Sequence, residues 1–167
     1  IVLIIQELED CWLNATIESI IMQSYSHWEL CIIGDAPIPS CLYEILQDCT
    51  EQKFRIKLFF KDKKDSDSIV FNMALPEITG DFITFLDSKD LLAPHALLWI
   101  ALDIIHHPEG MLWYSDEDKI DENGQRKEPH FKPDWNSDLF LSYPYNLARH
   151  LGVYRTSLVR QLNGFRP

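Results

Sequence analysis

Apolar residues fall along this chain in two rhythms, one of strands and one of helices. Residues 1–5 are a continuous apolar run, the pattern of a short strand buried on both faces. Leu13, Ile17, Ile20 and Ile21 then recur at helical spacing, with Asp10 placed to cap that helix and an end expected near residues 24–26. Residues 28–33 predict a second strand closing on Gly34 and Asp35, and residues 40–49 a short helix. In a third predicted strand, 54–60, Ile56, Leu58 and Phe60 alternate with Arg55, Lys57 and Phe59. A charged stretch, 61–68, reads as a solvated turn and leads to a helix over 69–78 that Pro76 should end or kink.

Gly80 opens a turn, and residues 82–86 predict a buried strand that runs into Asp87-Ser-Lys-Asp90. Pro94 suits the first turn of the next helix. Its expected buried stripe is Leu97, Leu98, Ala101, Leu102 and Ile105. His106 and His107 fall at its end, where the partial negative charge favours imidazolium, and they read as a helix terminus rather than metal ligands. Residues 111–114 predict a strand that runs into Ser115-Asp-Glu-Asp-Lys119, with a turn over 121–124. Residues 127–145, with Pro129, Pro133, Pro144 and Trp135, read as a long irregular loop of the kind that often carries function. A strand over 150–155 and a helix over 156–162, stopped by Gly164, follow. The alternation implies an α/β fold: a mainly parallel central sheet with helices on both faces.

Length and charge narrow this further. At 167 residues the chain is read as one domain or a large piece of one, and its 46% hydrophobic composition supports a real core. A net charge of −11 argues against nucleic acid, which needs a basic stripe. No run of 18 apolar residues exists to span a membrane, and the first residues are too short and lack the basic start of a signal peptide. The four cysteines form no C-x-x-C pair, which disfavours zinc. Cys31, in an apolar strand, reads as a reduced core thiol, in keeping with a cytosolic setting.

The candidate chemistry sits at strand ends. Acidic residues at the C-terminal end of a strand occupy the edge where α/β sheets bind ligands, which singles out Asp87 and Asp90. Two such carboxylates suit a divalent cation with oxygen ligands, whereas Lys89 between them puts a cation where a metal site wants an anion. Asp116, Glu117, Asp118, Asp121 and Glu122 read either as a solvated charge run or as cleft residues, and Trp135 either as core packing or as a stacking platform for a ligand.

Four stretches in order carry a family resemblance. They are Ala15-Thr-Ile-Glu-Ser-Ile-Ile-Met-Gln-Ser-Tyr with Trp28-Glu-Leu-Cys-Ile-Ile; Asn72-Met-Ala-Leu through Leu86-Asp-Ser-Lys-Asp-Leu-Leu-Ala-Pro; Tyr114-Ser-Asp-Glu-Asp-Lys-Ile-Asp with Phe131-Lys-Pro-Asp-Trp; and His150-Leu-Gly-Val-Tyr-Arg closing on Asn163-Gly-Phe-Arg. Over nearly its whole length the chain resembles the family 2 inverting glycosyltransferases of the GT-A fold, in particular bacterial members that build cell-surface polysaccharide.

The resemblance implies transfer of a sugar from a nucleotide-diphosphate sugar to a glycan or lipid-linked acceptor, with inversion. The alternative it leaves is a catalytically inactive binding module. It implies a nucleotide-binding half over 1–90 and an acceptor-side half over 91–167. Asp35, Asn72, Asp87 and Lys89 would contact the nucleotide sugar; Asp116, Glu117, Asp118, Trp135 and His150 would face the acceptor side. Manganese or magnesium would be held by Asp87 and Asp90. The family's D-x-D motif reads Asp87-Ser88-Lys89, so its last carboxylate is a lysine, which could replace the metal, pair with Asp87 or Asp90, or lie on the surface. One nucleoside carboxylate has become Gly34, and the loop after the first strand, Gln6-Glu-Leu-Glu9, lacks the usual Pro and Tyr-Asn. In the family the general base comes from a segment downstream of Gly164-Phe165, so the catalytic base is expected beyond Pro167. The family and the lack of an export signal imply a cytoplasmic protein, peripheral at the inner membrane face if its acceptor is lipid-linked.

Overall fold

The computed structural model describes residues 1–5, 12–35, 55–61, 66–142, 148 and 150–166. In chain order the elements are β1 (Val2–Ile4), α1 (Leu13–Ile21), β2 (Leu30–Asp35), β3 (Ile56–Lys61), α2 (Asp67–Ala74), β4 (Phe82–Asp87), α3 (Ala96–His106), β5 (Leu112–Tyr114), β6 (Glu117–Ile120), β7 (Arg126–His130), α4 (Ser137–Ser142), β8 (Gly152–Arg155) and α5 (Thr156–Gln161). The proposed cap Asp10, the Gln6–Glu9 loop, residues 62–65 of the 61–68 turn and the predicted 40–49 helix lie outside the described residues.

Six strands form the main sheet in the order β3-β2-β1-β4-β8-β5. The first four are parallel, and β8 runs antiparallel between β4 and β5. Alternation along β1 and β2 divides the core in two. Leu3, Ile5, Leu30 and Ile32 face one side with Leu13, Ile17 and Ile20 of α1, while Val2, Ile4, Cys31 and Ile33 face the other with Val70, Phe71 and Ala74 of α2. The Cys31 thiol is free and buried, and burial pushes its pKa up, as suits an inert core cysteine.

Several elements depart from the sequence expectations. Helix α1 ends at Ile21, short of residues 24–26. Pro76 falls in a 3-10 turn, Leu75–Glu77, that closes α2, as a proline without an N–H should. Pro94 precedes α3, which starts at Ala96 after His95. The buried stripe of α3 is also rotated from its expected place. Ala96, Ile100 and Ile104 pack on the core, while Leu98 and Leu102 are exposed and Ile105 is 71% exposed. This helix is apolar almost all round, so its periodicity did not determine its inner face. On edge strand β3, Phe59 packs against the core, and Leu58 and Phe60 are exposed. The expected irregular loop over 127–145 instead contains β7, paired antiparallel with β6, and α4.

At the N-terminal edge of the sheet, Glu29 ties β2 to the turn before β4. Its carboxylate accepts from Thr79 N (2.6 Å), Gly80 N (2.7 Å), Thr79 Oγ1 (3.0 Å) and Lys57 Nζ (3.0 Å). Burial pushes this carboxyl up, but the Gly80 amide, the Lys57 ammonium and both Thr79 donors outweigh it and hold the pKa at about 2. A depressed carboxylate stabilises the fold above its unfolded pKa and loses that stabilisation as pH falls through the folded one. Glu29→Gln is expected to cost about 2 kcal/mol at neutral pH and to flatten the fall of stability between pH 4.5 and pH 2, as read from denaturant midpoints across that window.

Candidate active site

Parallel strands deliver their C-terminal ends to one edge, so β2 ends at Asp35 and β4 at Asp87 beside β1, with Ile4 paired to both Ile33 and Asp87. The side chain of Asp35 lies outside the described residues. After Asp87 the chain makes a tight turn in which Asp90 N donates to Asp87 O (3.0 Å) and Asp87 N donates to Asp90 Oδ2 (3.1 Å). The turn folds the second carboxylate back onto the first. Ser88, between them, is buried, and Lys89 is exposed and lines the cleft.

The third member comes from 60 residues downstream: His150, in the turn before β8, places Nδ1 3.0 Å from Asp90 Oδ2. Asp87, Asp90 and His150 each offer a ligand atom within 4.8 Å of the others, all half-buried. Two carboxylates suit a hard divalent cation, and the imidazole moves the preference from magnesium toward manganese. The donor set therefore fits a resident cation.

The opposite wall is the β6–β7 hairpin. A cleft of about 800 Å³ opens between the loop after β4 (Lys89, Asp90, Leu91, Leu92), the His150–Leu151 turn, and the hairpin face carrying Glu117, Lys119, Arg126 and His130. Asp116 and Asp118 line it too. Of the acidic run, Asp116, Glu117 and Asp118 thus line the cleft and Asp121 and Glu122 do not; the hairpin is laced by pairs at Arg126 Nε–Asp118 Oδ2 (2.6 Å) and Lys119 Nζ–Glu128 Oε2 (2.5 Å).

Lys132 is the site residue that sequence reasoning missed. Its side chain is only 3% exposed, its Nζ lies 3.0 Å from Glu117 Oε2, and it donates to the backbone carbonyl of His150. Its own amide donates to Asp116 Oδ1 at 2.7 Å. One buried ammonium thus joins the hairpin to the turn that carries His150. Burial pushes the Glu117 carboxyl up, but Lys132, His150 and His130 outweigh that and hold it below the usual carboxylate range. The only signal in the sequence was the position of Lys132 inside the Phe-Lys-Pro-Asp-Trp motif. Lys132→Met strands Glu117 in the cleft wall and is expected to destabilise the fold by about 2 kcal/mol and to raise the Glu117 pKa, seen by thermal melts and by NMR titration of its carboxyl carbon.

Two other expected site residues stand elsewhere. Asn72 does not line the cleft described above; its amide is committed to Phe165, donating from Nδ2 to Phe165 O (2.8 Å) and accepting at Oδ1 from Phe165 N (2.9 Å). Trp135 is 56% exposed and packs on Phe140 with ring centroids 5.1 Å apart, which rules out the core-packing alternative for it. It too is not among the residues lining the cleft.

An α/β sheet of this order, with an acidic cleft at the parallel strand ends, is the architecture of GT-A transferases. TarS residues 1–349 from S. aureus in complex with UDP-GlcNAc superposes with a TM-score of 0.73 at 18% identity, over 99% of this chain and 48% of that one. The mannosyltransferase PcManGT from Pyrobaculum calidifontis, in complex with GDP-Man and Mn2+, gives 0.66 at 13% identity, over 99% and 47%. These likenesses establish the GT-A fold.

Residues 1–159 match the model of Glycosyl transferase family 2, and the chain belongs to that family. It is 40% identical over 150 residues to the uncharacterized protein y4gI of Sinorhizobium fredii (strain NBRC 101917 / NGR234), covering 90% of this chain and 16% of that protein. It is 34% identical over 162 residues to the O-antigen biosynthesis protein RfbC of Myxococcus xanthus, covering 97% and 12%. The chain thus spans less than a fifth of the length of these two relatives. Among the described residues, no helix is long and apolar enough to cross a membrane.

Proposed function

We propose that this domain binds a nucleotide-diphosphate sugar in the cleft and transfers the sugar, with inversion, to a hydroxyl of a glycan or lipid-linked acceptor of the kind used in polysaccharide assembly. The observation that carries the reading is the convergence of Asp87, Asp90 and His150 at the C-terminal edge of the parallel strands. Its support is the family match and the nucleotide-sugar complexes of TarS and PcManGT.

In this reading the nucleoside lies toward Asp35 and the ribose toward Asp87, with the diphosphate between Asp90, His150 and Lys89. Asp87, Asp90 and His150 would hold manganese or magnesium, which when bound would supply counter-charge for a departing diphosphate. The Lys89 ammonium adds charge to the same leaving group from the exposed rim of the loop. Glu117, kept anionic by Lys132, with Asp116 and Asp118, takes sugar or acceptor hydroxyls as a hydrogen-bond acceptor. Trp135, exposed on the acceptor-side half, offers an apolar face to a sugar ring. A single domain is proposed, with the nucleotide on 1–90 and the acceptor on 91–167. A cytoplasmic setting, at the inner membrane face for a lipid-linked acceptor, belongs to the same proposal.

Lys89 also gives weight to a second reading, a binding module without turnover, because a lysine stands where the family's metal carboxylate is expected. Incubation with UDP-, dTDP- and GDP-sugars, Mn2+ and a lipid-linked acceptor separates the two. Release of nucleoside diphosphate in step with glycosylated acceptor supports transfer; tight binding with no release over hours supports the module. Lys89→Ala is expected to weaken nucleotide affinity about tenfold, roughly the effect of one charge-assisted contact. Unchanged affinity removes Lys89 from the diphosphate site.

A further inference from the structure

The first sequence motif, on α1, supplies no residue to the cleft lining, yet it is in contact with the loop that bounds the cleft. We infer that its polar stripe is the template on which the cation and diphosphate loop is folded, and that Thr16, Ser19 and Gln23 are positioning residues for Asp87 and Asp90. The inference rests on the reading that Asp87, Asp90 and His150 hold a divalent cation.

Helix α1 carries two stripes. Leu13, Ile17 and Ile20 pack into the sheet. Thr16 and Ser19, with Gln23 just past the helix end, follow at spacings of three and four and turn toward residues 88–97. Thr16, fully buried, donates its hydroxyl to Ser88 O at 2.8 Å, with Trp12 O at 3.2 Å as a second acceptor. Ser19 Oγ accepts from Leu92 N at 3.1 Å and donates to Thr16 O at 2.7 Å. Gln23, also buried, uses both ends of its amide: Nε2 donates to Ala93 O (2.8 Å) and Ser19 O (2.9 Å), and Oε1 accepts from Leu97 N (3.0 Å). Ser24 N and Oγ both donate to Pro94 O, at 2.8 and 3.0 Å.

Residues 88–95 belong to no helix or strand, and α1 with Gln23 and Ser24 after it supplies partners for Ser88 O, Leu92 N, Ala93 O and Pro94 O. Ser88 is the residue between the two halves of the turn, whose ends are bonded to each other through Asp87 and Asp90. A shift of the Ser88 carbonyl therefore moves both carboxylates relative to His150. Ligand constellations tolerate displacements of only about 0.5 Å, and losing an outer partner typically weakens metal binding by about 10–100-fold. This gives the motif a physical purpose: it shapes the site without touching ligand.

The test uses the full chain with Thr16→Val, Gln23→Met and the milder Ser19→Ala, and with Thr16→Ser as rescue. Amide hydrogen exchange on ligand-free protein is read first. The inference expects Leu92 and Leu97 amides to exchange about tenfold faster or more in the three disruptive variants, with β1 and β2 unchanged and Thr16→Ser like the parent. Mn2+ alone is then titrated by calorimetry, with affinity expected to fall about tenfold or more in Thr16→Val and Gln23→Met and to return in Thr16→Ser. Unchanged loop exchange, or a loosened loop that holds Mn2+ as tightly as the parent, overturns it. A parent that binds no Mn2+ sinks the cation reading itself, and the exchange data still decide whether α1 sets the loop.

Discussion

Asp90→Ala is expected to weaken Mn2+ binding by the cleft about a hundredfold or more, beyond the loss of an outer-sphere partner. The side chain has three roles at once. It is one of the three groups placed to hold a cation, it holds His150 Nδ1 at 3.0 Å, and it accepts the Asp87 amide at 3.1 Å. Removing it takes away the His150 contact at Oδ2, unties the turn and removes a charge. Asp90→Asn separates these effects, because its carbonyl oxygen can still accept from Asp87 N while the charge is gone. The expected order of Mn2+ affinity is parent, then Asn, then Ala, with a thermal midpoint for Asn close to the parent. Calorimetric titration alongside a melt checks both; equal affinity for parent and Ala removes Asp90 from the cation site.

Gly152→Ala is expected to be the most damaging small substitution for folding. A Cβ there would sit 1.7 Å from the Ala148 carbonyl oxygen and 2.7 Å from its carbonyl carbon, both backbone. Gly152 cannot yield sideways, because β8 is hydrogen-bonded between β4 and β5. Relief must come from the 148–152 turn, the same turn that presents His150. The cost is about 3 kcal/mol, the upper end of overpacking, or roughly 6–12 °C in Tm for a chain of this size. Gly124→Ala is the contrast: nothing lies within 4 Å of its added Cβ, and only the backbone at φ 76° resists. That costs about 1–2 kcal/mol. Thermal melts of the pair, with Mn2+ affinity of whatever folds, distinguish a packing clash at the site from a general intolerance of alanine.

How much of this was readable beforehand depended on the chemistry of each segment. The strands β1, β2 and β4 were plain because residues buried on both faces make short unbroken apolar runs. The inner face of α3 was not, because Leu98, Trp99, Leu102 and Ile105 are as apolar as the residues that pack inward, and periodicity needs contrast. The β6–β7 hairpin was missed for the opposite reason. Its strands are charged and largely exposed, joined across by pairs such as Arg126–Asp118 and Lys119–Glu128, so they carry no hydrophobic alternation. Of the site, Asp87 and Asp90 followed from their place at a strand end, while His150 entered through the family resemblance alone. Lys132 carried no signal beyond its place in the Phe-Lys-Pro-Asp-Trp motif, since a lysine buried to 3% exposure looks like any surface lysine until its partners are seen. Thr16 and Gln23 did leave a trace, a polar stripe beside an apolar one, but one helix cannot say what such a stripe faces.

Calorimetry of UDP, dTDP and GDP with and without Mn2+ tests the central claim most directly. The account predicts that one of these diphosphates binds the parent chain, that Mn2+ tightens it about tenfold or more, and that the Mn2+ gain disappears in Asp90→Ala. Binding of no diphosphate under either condition, or binding whose strength ignores both Mn2+ and Asp90, would contradict it.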